Sequence, residues 1–209
     1  MQYEIIPVTA FDQNCSLLWC EASRQAAVID PGGDLDKILL RVDALQLKLC
    51  QIWLTHAHID HAGGAGELAC RLDIPIVGPH RADSFWINAL AEQSRMFGFP
   101  PARTFEPRRW LKQDDWVKVG EISLKVLHCP GHTPGHVVFY QPKAQLMFVG
   151  DVIFKGSIGR TDFPQGNHKM LLDSIRQQLF SLPDKVSFVL GHGPMSNIGF
   201  EKRYNPFLQ

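Results

Sequence analysis

The residues best suited to chemistry lie in the segment 52–64, IWLTHAHIDHAGG, where an apolar strand gives way to His56, His58, Asp60 and His61. Alternate side chains of an extended chain share a face, so His56 and His58 can point together. A helix beginning near Asp60 would direct Asp60 and His61 to a second position. Such donors repel one another when protonated and are costly to bury unpaired, so they fit best around cations. The segment predicts two adjacent metal sites.

Three further candidates follow predicted strands later in the chain. His132 lies in CPGHTPGH, Asp151 in GDVIF and His192 in GHGP, and a glycine precedes each of them. Open α/β sheets build sites at strand ends, because the loops converge there while the sheet fixes their roots. We therefore expect these side chains to meet those of segment 52–64 at one edge.

The donors divide into two sets and one shared carboxylate. We assign one ion to His56, His58 and His132, the other to Asp60, His61 and His192, and Asp151 to a bridging position. Imidazole with carboxylate suits Zn²⁺, Fe²⁺ or Mn²⁺, and we expect two divalent ions, with Zn²⁺ favoured. Ions about 3.5–4 Å apart can lower the pKa of a shared water and polarise a carbonyl. The predicted chemistry is hydrolysis, with Asp60 and Asp151 as catalytic residues.

Two rounds of sheet and helix would position these residues. In the first round, strands are predicted at 3–8, 15–20, 26–30, 51–54 and 75–78, and helices at 34–47 and 61–72, the latter interrupted by glycines. In the second, a hairpin is predicted at 116–129, strands at 136–141, 145–149 and 186–190, and a helix at 167–179. The aromatic segment 80–103 fits either a mobile cover over a substrate site or a packed excursion.

Composition limits the partners. The 209 residues are 45% apolar, which suits one domain spanning 1–209, and 21 Lys plus Arg balance 21 Asp plus Glu. No broad basic field is available for nucleic acid or a membrane surface, so a small-molecule substrate is expected. The amino terminus lacks a secretion signal, no run reaches transmembrane length, and five scattered cysteines suit reduced thiols; together these indicate a cytoplasmic protein. The oligomeric state is left open.

The pattern H-x-H-x-D-H at 56–61, followed by His132, Asp151 and His192, resembles the metallo-β-lactamase superfamily over essentially the whole chain. The resemblance implies an αββα sandwich, two mixed β-sheets flanked by helices, with the site along one edge. CPGHTPGH, GDVIF, GSIGRTDFP and the terminal NPFL are most similar to the short bacterial glyoxalase II-like hydrolases. Glyoxalase II, or hydroxyacylglutathione hydrolase, cleaves S-D-lactoylglutathione with a metal pair. The resemblance thus implies attack by metal-activated hydroxide on a thioester.

Full-length glyoxalase II carries a helical carboxyl-terminal extension with basic contacts to glutathione, whereas this sequence ends at Gln209. Glutathione recognition is therefore left open. Lys155 and Arg160, on the loop after Asp151, are our candidates to bind a substrate carboxylate. Asp162 is expected to order that loop by pairing with Arg160 or with backbone amides.

Two alternatives compete with thioester hydrolysis. A persulfide dioxygenase, from a sister family with a similar GRTDF loop, would hold one Fe²⁺ with His56, His132 and Asp151, although the presence of His58 and His192 favours two metals. A structural or sensory metal module would close its site with four ligands, often cysteine. His80, His128 and His168 are expected to be surface or packing histidines, and Cys129 a buried cysteine. His136 is expected to make a structural hydrogen bond at a strand start, with support of a metal ligand as the alternative.

Overall fold

The first sheet is built by strands whose residues alternate between two apolar layers. A computed structural model describes residues 1–209. The sheet runs in the order β1 (Gln2–Val8), β2 (Gln13–Trp19), β3 (Gln25–Ile29), β4 (Lys48–Trp53) and β5 (Ile76–Val77). The first three strands pair antiparallel, while β3, β4 and β5 are parallel. The sheet is therefore mixed.

The second sheet is also mixed. Its strands are β6 (Trp116–Val119), β7 (Ile122–His128), β8 (Val137–Gln141), β9 (Leu146–Phe148), β12 (Ser187–Val189) and β13 (Ser196–Asn197). The spatial order is β13-β12-β9-β8-β7-β6, and only β9 and β12 pair in parallel. A separate two-stranded hairpin joins β10 (Ile153–Phe154) and β11 (Ser157–Ile158). In this arrangement β7, β9 and β12 all end at the same edge.

Helices cover the outer face of each sheet. Those of the first half are α1 (Leu35–Ala44), α2 (Ile59–Ala62), α3 (Ala65–Leu72), α4 (Ser84–Asn88) and α5 (Leu90–Phe97). The second half contributes α6 (His168–Ser174), continued by a π-helical turn over Ile175–Leu179, and α7 (Ile198–Tyr204). None of the helices combines the length and apolar character needed to cross a bilayer.

Three apolar clusters separate four layers. On β2, Leu17 belongs to the cluster under the first helices, while its neighbour Leu18 belongs to the cluster between the sheets. On β8, Phe139 faces the space between the sheets and Val138 joins the cluster under α6 and α7. This period-two alternation is what two sheets buried on both faces require. The predicted αββα sandwich is confirmed.

The predicted helix 61–72 is instead two helices, α2 and α3, separated at Gly63 and Gly64. A Cβ on Gly63 would lie 2.8 Å from the carbonyl oxygen of Gly32, and one on Gly64 would lie 2.6 Å from that of Pro31. The break therefore lets the 31–33 turn lie against the helices. Four short elements were not predicted, because each spans too few residues to show a clear period: β10, β11, β13 and α7.

Segment 80–103 is a packed excursion containing α4 and α5. Ile87 and Leu90 are fully buried in the first core cluster. The outer end of α5 is open, with Met96 68% exposed and Phe97 37% exposed. The segment thus has one face in the core and another free.

Candidate metal centre

The seven predicted metal-binding side chains come together at one edge of the sandwich. His56 and His58 follow the end of β4, and Asp60 and His61 lie in α2 directly after them. His132, Asp151 and His192 follow β7, β9 and β12, the three strands of the second sheet that end at this edge. The fold therefore brings residues from both sheets to one place.

The side chains form two groups of donors. In each group the three donor atoms lie within 4.8 Å of one another: His56, His58 and His132 form the first, and Asp60, His61 and His192 the second. Asp151 lies between them, with Oδ1 3.3 Å from His61 Nε2 and Oδ2 3.7 Å from Nε2 of both His132 and His192. This arrangement fits two divalent cations with a shared carboxylate.

Unpaired buried atoms test whether the residues fit a metal. Six buried side-chain atoms of the chain lack a hydrogen-bond partner, and four belong to predicted ligands: Nε2 of His56, His58 and His61, and Oδ1 of Asp151. Buried polar atoms are normally satisfied, because leaving one unpaired costs about 1–3 kcal/mol. Cations would satisfy this cluster of donors. The donor set therefore fits a metal pair.

Burial and neighbouring charges set the protonation of the cluster. Burial lowers the pKa of His56, His58 and His132, which favours the neutral imidazole that binds metals. Burial would also lower the pKa of His61, but Asp151 and Asp60 outweigh it and raise that pKa. Burial opposes ionisation of Asp151, yet His61 and the other facing imidazoles hold its pKa low. The neutral imidazoles of the first group thus lie beside a positively charged His61 and an ionised Asp151.

Contacts behind the ligands fix which nitrogen faces the cluster. His132 donates through Nδ1 to the carbonyl oxygen of Arg160 at 2.7 Å, and His192 donates through Nδ1 to that of Phe11 at 3.0 Å. A nitrogen facing a carbonyl oxygen carries a proton, so Nε2 is the nitrogen of each ring that faces the cluster and can bind a metal.

Sequence reasoning missed Asp30, which supports the site from the end of β3. Its carboxylate accepts hydrogen bonds from the backbone N–H and the hydroxyl of Thr55, at 2.7 and 2.6 Å, and lies 3.0 Å from His61 Nδ1. Asp30 adopts a left-handed backbone with φ of 54°, which is uncommon for a non-glycine residue. Asp30 follows the end of β3, which is parallel to β4, so its side chain lies at the same sheet edge as His56 and His58. That position is the signal by which Asp30 could have been predicted.

Asp83 is a second residue that sequence reasoning missed. Its buried carboxylate accepts hydrogen bonds from the amides of Ala57 and Gly135 and from the hydroxyl of Thr133, at 3.1, 2.6 and 2.9 Å. Ala57 lies between two predicted ligands, and Thr133 follows a third. Burial outweighs these bonds and raises the pKa of Asp83 to about 7. Asp83 therefore ties two ligand-bearing loops together.

His136 makes the structural hydrogen bond expected at the start of β8. Its Nε2 accepts from the backbone N–H of Asp151 at 3.1 Å, and its ring stacks on His56 with centroids 4.5 Å apart. A Cβ on Gly150, where φ is 49°, would lie 2.8 Å from this ring. His136 therefore supports the cluster without belonging to either donor group.

Five of the seven donors line a cavity of about 730 Å³: His58, Asp60, His132, Asp151 and His192. Arg160 lines it, but its guanidinium makes a two-point contact with Asp162 at 2.7 and 2.6 Å, the pairing expected from the sequence. Lys155 does not line the cavity, and its Nζ lies 5.6 Å from the centre of the Phe200 ring. Of the two predicted substrate contacts, only Arg160 faces the site.

The other reactive side chains lie away from the donors. Cys129 is fully buried, and burial raises the pKa of its thiol, as expected for a structural cysteine. His80 stacks on His128 with ring centroids 4.3 Å apart, and His168 is exposed at the start of α6. None of these side chains joins the cluster.

Comparison with known proteins places this geometry in a family. The model of the metallo-beta-lactamase superfamily matches residues 8–192. The hydroxyacylglutathione hydrolase GloC of Haemophilus influenzae is 45% identical over 209 residues, covering 100% of this chain and 98% of that protein. The crystal structure of BLEG-1 B3 metallo-beta-lactamase superposes with a TM-score of 0.90 at 36% identity, covering 99% of each chain. The crystal structure of TTHA1623 in a di-iron-bound form superposes with a TM-score of 0.89 at 35% identity, covering 98% of this chain and 100% of that chain. This chain belongs to the metallo-beta-lactamase superfamily.

Proposed function

We propose that this chain is a metal-dependent hydrolase of thioesters that uses two divalent ions, with S-D-lactoylglutathione as the first substrate to test. The observation that carries the proposal is the pair of donor groups with Asp151 between them, with members of both groups lining a substrate-sized cavity. Its 45% identity to a hydroxyacylglutathione hydrolase supports the thioester as substrate. The di-iron form of TTHA1623 supports two ions.

The metal pair would be held by the residues predicted from the sequence. His56, His58 and His132 would bind one ion, Asp60, His61 and His192 the other, and Asp151 both. When bound, Zn²⁺, Fe²⁺ or Mn²⁺ ions would lower the pKa of a shared water and polarise the thioester carbonyl. Asp30 and the carbonyl oxygens of Arg160 and Phe11 would keep His61, His132 and His192 oriented.

Asp60 has a second role in this proposal. Its Oδ2 lies 3.1 Å from His192 Nε2, so the carboxylate lies among the donors of the second group. The carboxylate would accept a hydrogen bond from the attacking water and orient it towards the carbonyl. A thiol has a pKa near 8.5, so the leaving thiolate needs no strong acid to protonate it.

Purified protein of measured metal content, assayed with S-D-lactoylglutathione and a panel of other thioesters, tests the proposal. We expect hydrolysis that depends on metal loading. Glutathione persulfide with an oxygen electrode is the control for a dioxygenase, and a cephalosporin is the control for lactam hydrolysis. Oxygen uptake with one iron per chain, or lactam hydrolysis without thioester hydrolysis, would contradict the proposal.

A further inference from the structure

One side of the cavity is a continuous apolar surface, which we call the aromatic wall: Phe11, Phe85, Trp86, Met96, Phe97 and Phe163. The wall begins at the metal centre. The ring of His58 lies 4.7 Å from that of Trp86 and 5.1 Å from that of Phe163, both in edge contacts. Apolar side chains therefore adjoin the predicted ligands directly.

The wall continues outward through further edge contacts. Phe163 lies 6.2 Å from Phe97, and Phe97 lies 6.5 Å from Phe11, measured between ring centroids. Phe11 is 46% exposed, and Met96 and Phe97 are also partly open. An apolar surface in contact with solvent is costly unless a ligand covers it. The wall thus extends from the reacting groups to the cavity mouth.

Charged groups are scarce in this cavity. Apart from the predicted ligands, the lining contains only Glu92 and Arg160. Arg160 is already paired with Asp162, and its guanidinium carbon lies 4.1 Å from the centre of the Phe163 ring. A polar thiol carrier such as glutathione, which bears two carboxylates, therefore finds only one cationic side chain here besides the predicted metal ligands. The lining matches an apolar group better than a charged one.

We propose that the aromatic wall binds the acyl group of the substrate, so that the enzyme prefers thioesters with apolar acyl groups, such as medium-chain or aryl acyl groups, over small polar ones. This inference rests on the proposed function, because it assigns the wall to the acyl side of the thioester bond. Met96 and Phe97 are the residues that set the preference. They lie on the open end of α5, where a long acyl group would cover them.

A series of S-alkylglutathione thioethers, which cannot be hydrolysed, measures this preference independently of turnover. Calorimetry on the metal-loaded protein compares the S-methyl, S-butyl and S-hexyl compounds. Each methylene buried against the wall tightens binding by about threefold to fourfold. We expect the S-hexyl compound to bind at least ~30-fold more tightly than the S-methyl compound. Equal affinities across the series would overturn the inference.

Matched variants locate the effect. Met96→Ser and Phe97→Ser should each reduce the ratio of S-methyl to S-hexyl dissociation constants by about threefold or more. Met170→Ser and Phe207→Ser remove exposed side chains of the same types, 44% and 50% exposed, that do not line the cavity, so they should leave the ratio unchanged. An equal effect of Met96→Ser and Met170→Ser would also overturn the inference.

Hydrolysis assays with different acylglutathiones distinguish failure of this inference from failure of the proposed function. We expect a higher kcat/KM for S-hexanoylglutathione than for S-acetylglutathione, with the difference reduced in Phe97→Ser. If no thioester is cleaved although the thioethers keep their chain-length dependence, the proposed function fails and the apolar binding site stands. If S-lactoylglutathione is cleaved but S-hexyl and S-methyl compounds bind equally, only the inference fails.

Discussion

Oδ2 of Asp30 lies 3.0 Å from Nδ1 of His61, and both side chains are buried. The same carboxylate holds the backbone N–H and hydroxyl of Thr55, the residue before His56. One acid at the end of β3 therefore supports a member of each donor group. Partners of this kind keep a ligand in its binding orientation and raise its basicity.

We expect Asp30→Asn to weaken metal binding by about 10-fold to 100-fold, the usual cost of removing such a partner. Competition with a chromophoric chelator measures the affinities. Asp36→Asn is the control, because this carboxylate on α1 is 85% exposed and pairs only with Arg71 at the surface. Equal metal affinity in wild type and Asp30→Asn would show that Asp30 does not support the ligands.

The raised pKa of Asp83 predicts a pH dependence of stability. An ordinary aspartate titrates near pH 4 and Asp83 near 7 in the folded chain, so the folded state binds the extra proton between these values. The contribution of this group to stability is complete below about pH 4 and is lost as the pH rises through about 7. As the pH rises through about 7, wild type should therefore lose stability relative to Asp83→Asn, because the asparagine side chain does not titrate.

Urea unfolding with saturating Zn²⁺ at pH 5.5 and pH 8.5 measures this effect. We expect the difference in unfolding free energy between wild type and Asp83→Asn to change by about 2 kcal/mol, since one pKa unit corresponds to about 1.4 kcal/mol. Comparing the two proteins cancels the titration of the histidine cluster. A difference that is independent of pH would contradict a raised pKa for Asp83.

Glu201 predicts a stability effect away from the ligands. Its fully buried carboxylate accepts hydrogen bonds from the amide of Gly156 and the side chain of Asn205, both at 2.9 Å, and from Ser196. It thus ties α7 to the β10–β11 hairpin. Glu201→Ala leaves these donors unpaired and should destabilise the chain by about 2–3 kcal/mol in urea unfolding. Glu67→Ala, on exposed α3 surface, should change stability by less than about 0.5 kcal/mol; equal effects would refute the role of Glu201.

Loss of Asp60 or His192 tests the roles proposed for the second donor group. Asp60→Ala and His192→Ala should each lower kcat on S-D-lactoylglutathione by at least about 100-fold, because each would remove a proposed ligand and Asp60 is also proposed to orient the water. The kcat of each variant is measured on protein whose folding is verified by circular dichroism. Full activity in either variant is incompatible with a two-metal mechanism.

The sequence predicted which side chains meet at this edge, but it did not predict the residues that support them. The motif H-x-H-x-D-H is easy to recognise because its four polar residues lie within six positions of the sequence. His132, Asp151 and His192 each follow a strand whose end is also recognisable in the sequence. Asp30 and Asp83 act through contacts with residues 25 to 52 positions away, which no local pattern encodes. Only the fold brings them to the site.

The aromatic wall was hidden for a different reason. The helices of segment 80–103 are short, and their apolar residues serve two surfaces, with Ile87 and Leu90 in the core and Met96 and Phe97 at the cavity. Helices of five and eight residues span too few turns to show a clear helical period in the sequence. Phe11 and Phe163 join the wall from distant loops. Segment 80–103 therefore showed its composition in the sequence but not its role.

The number of metal ions bound per chain tests the central claim most directly. Atomic emission analysis of protein dialysed against limiting chelator and reloaded with Zn²⁺, Fe²⁺ or Mn²⁺ should give two ions per wild-type chain and about one in His192→Ala. A single ion per wild-type chain at saturating metal, or a stoichiometry that His192→Ala leaves unchanged, would contradict the account.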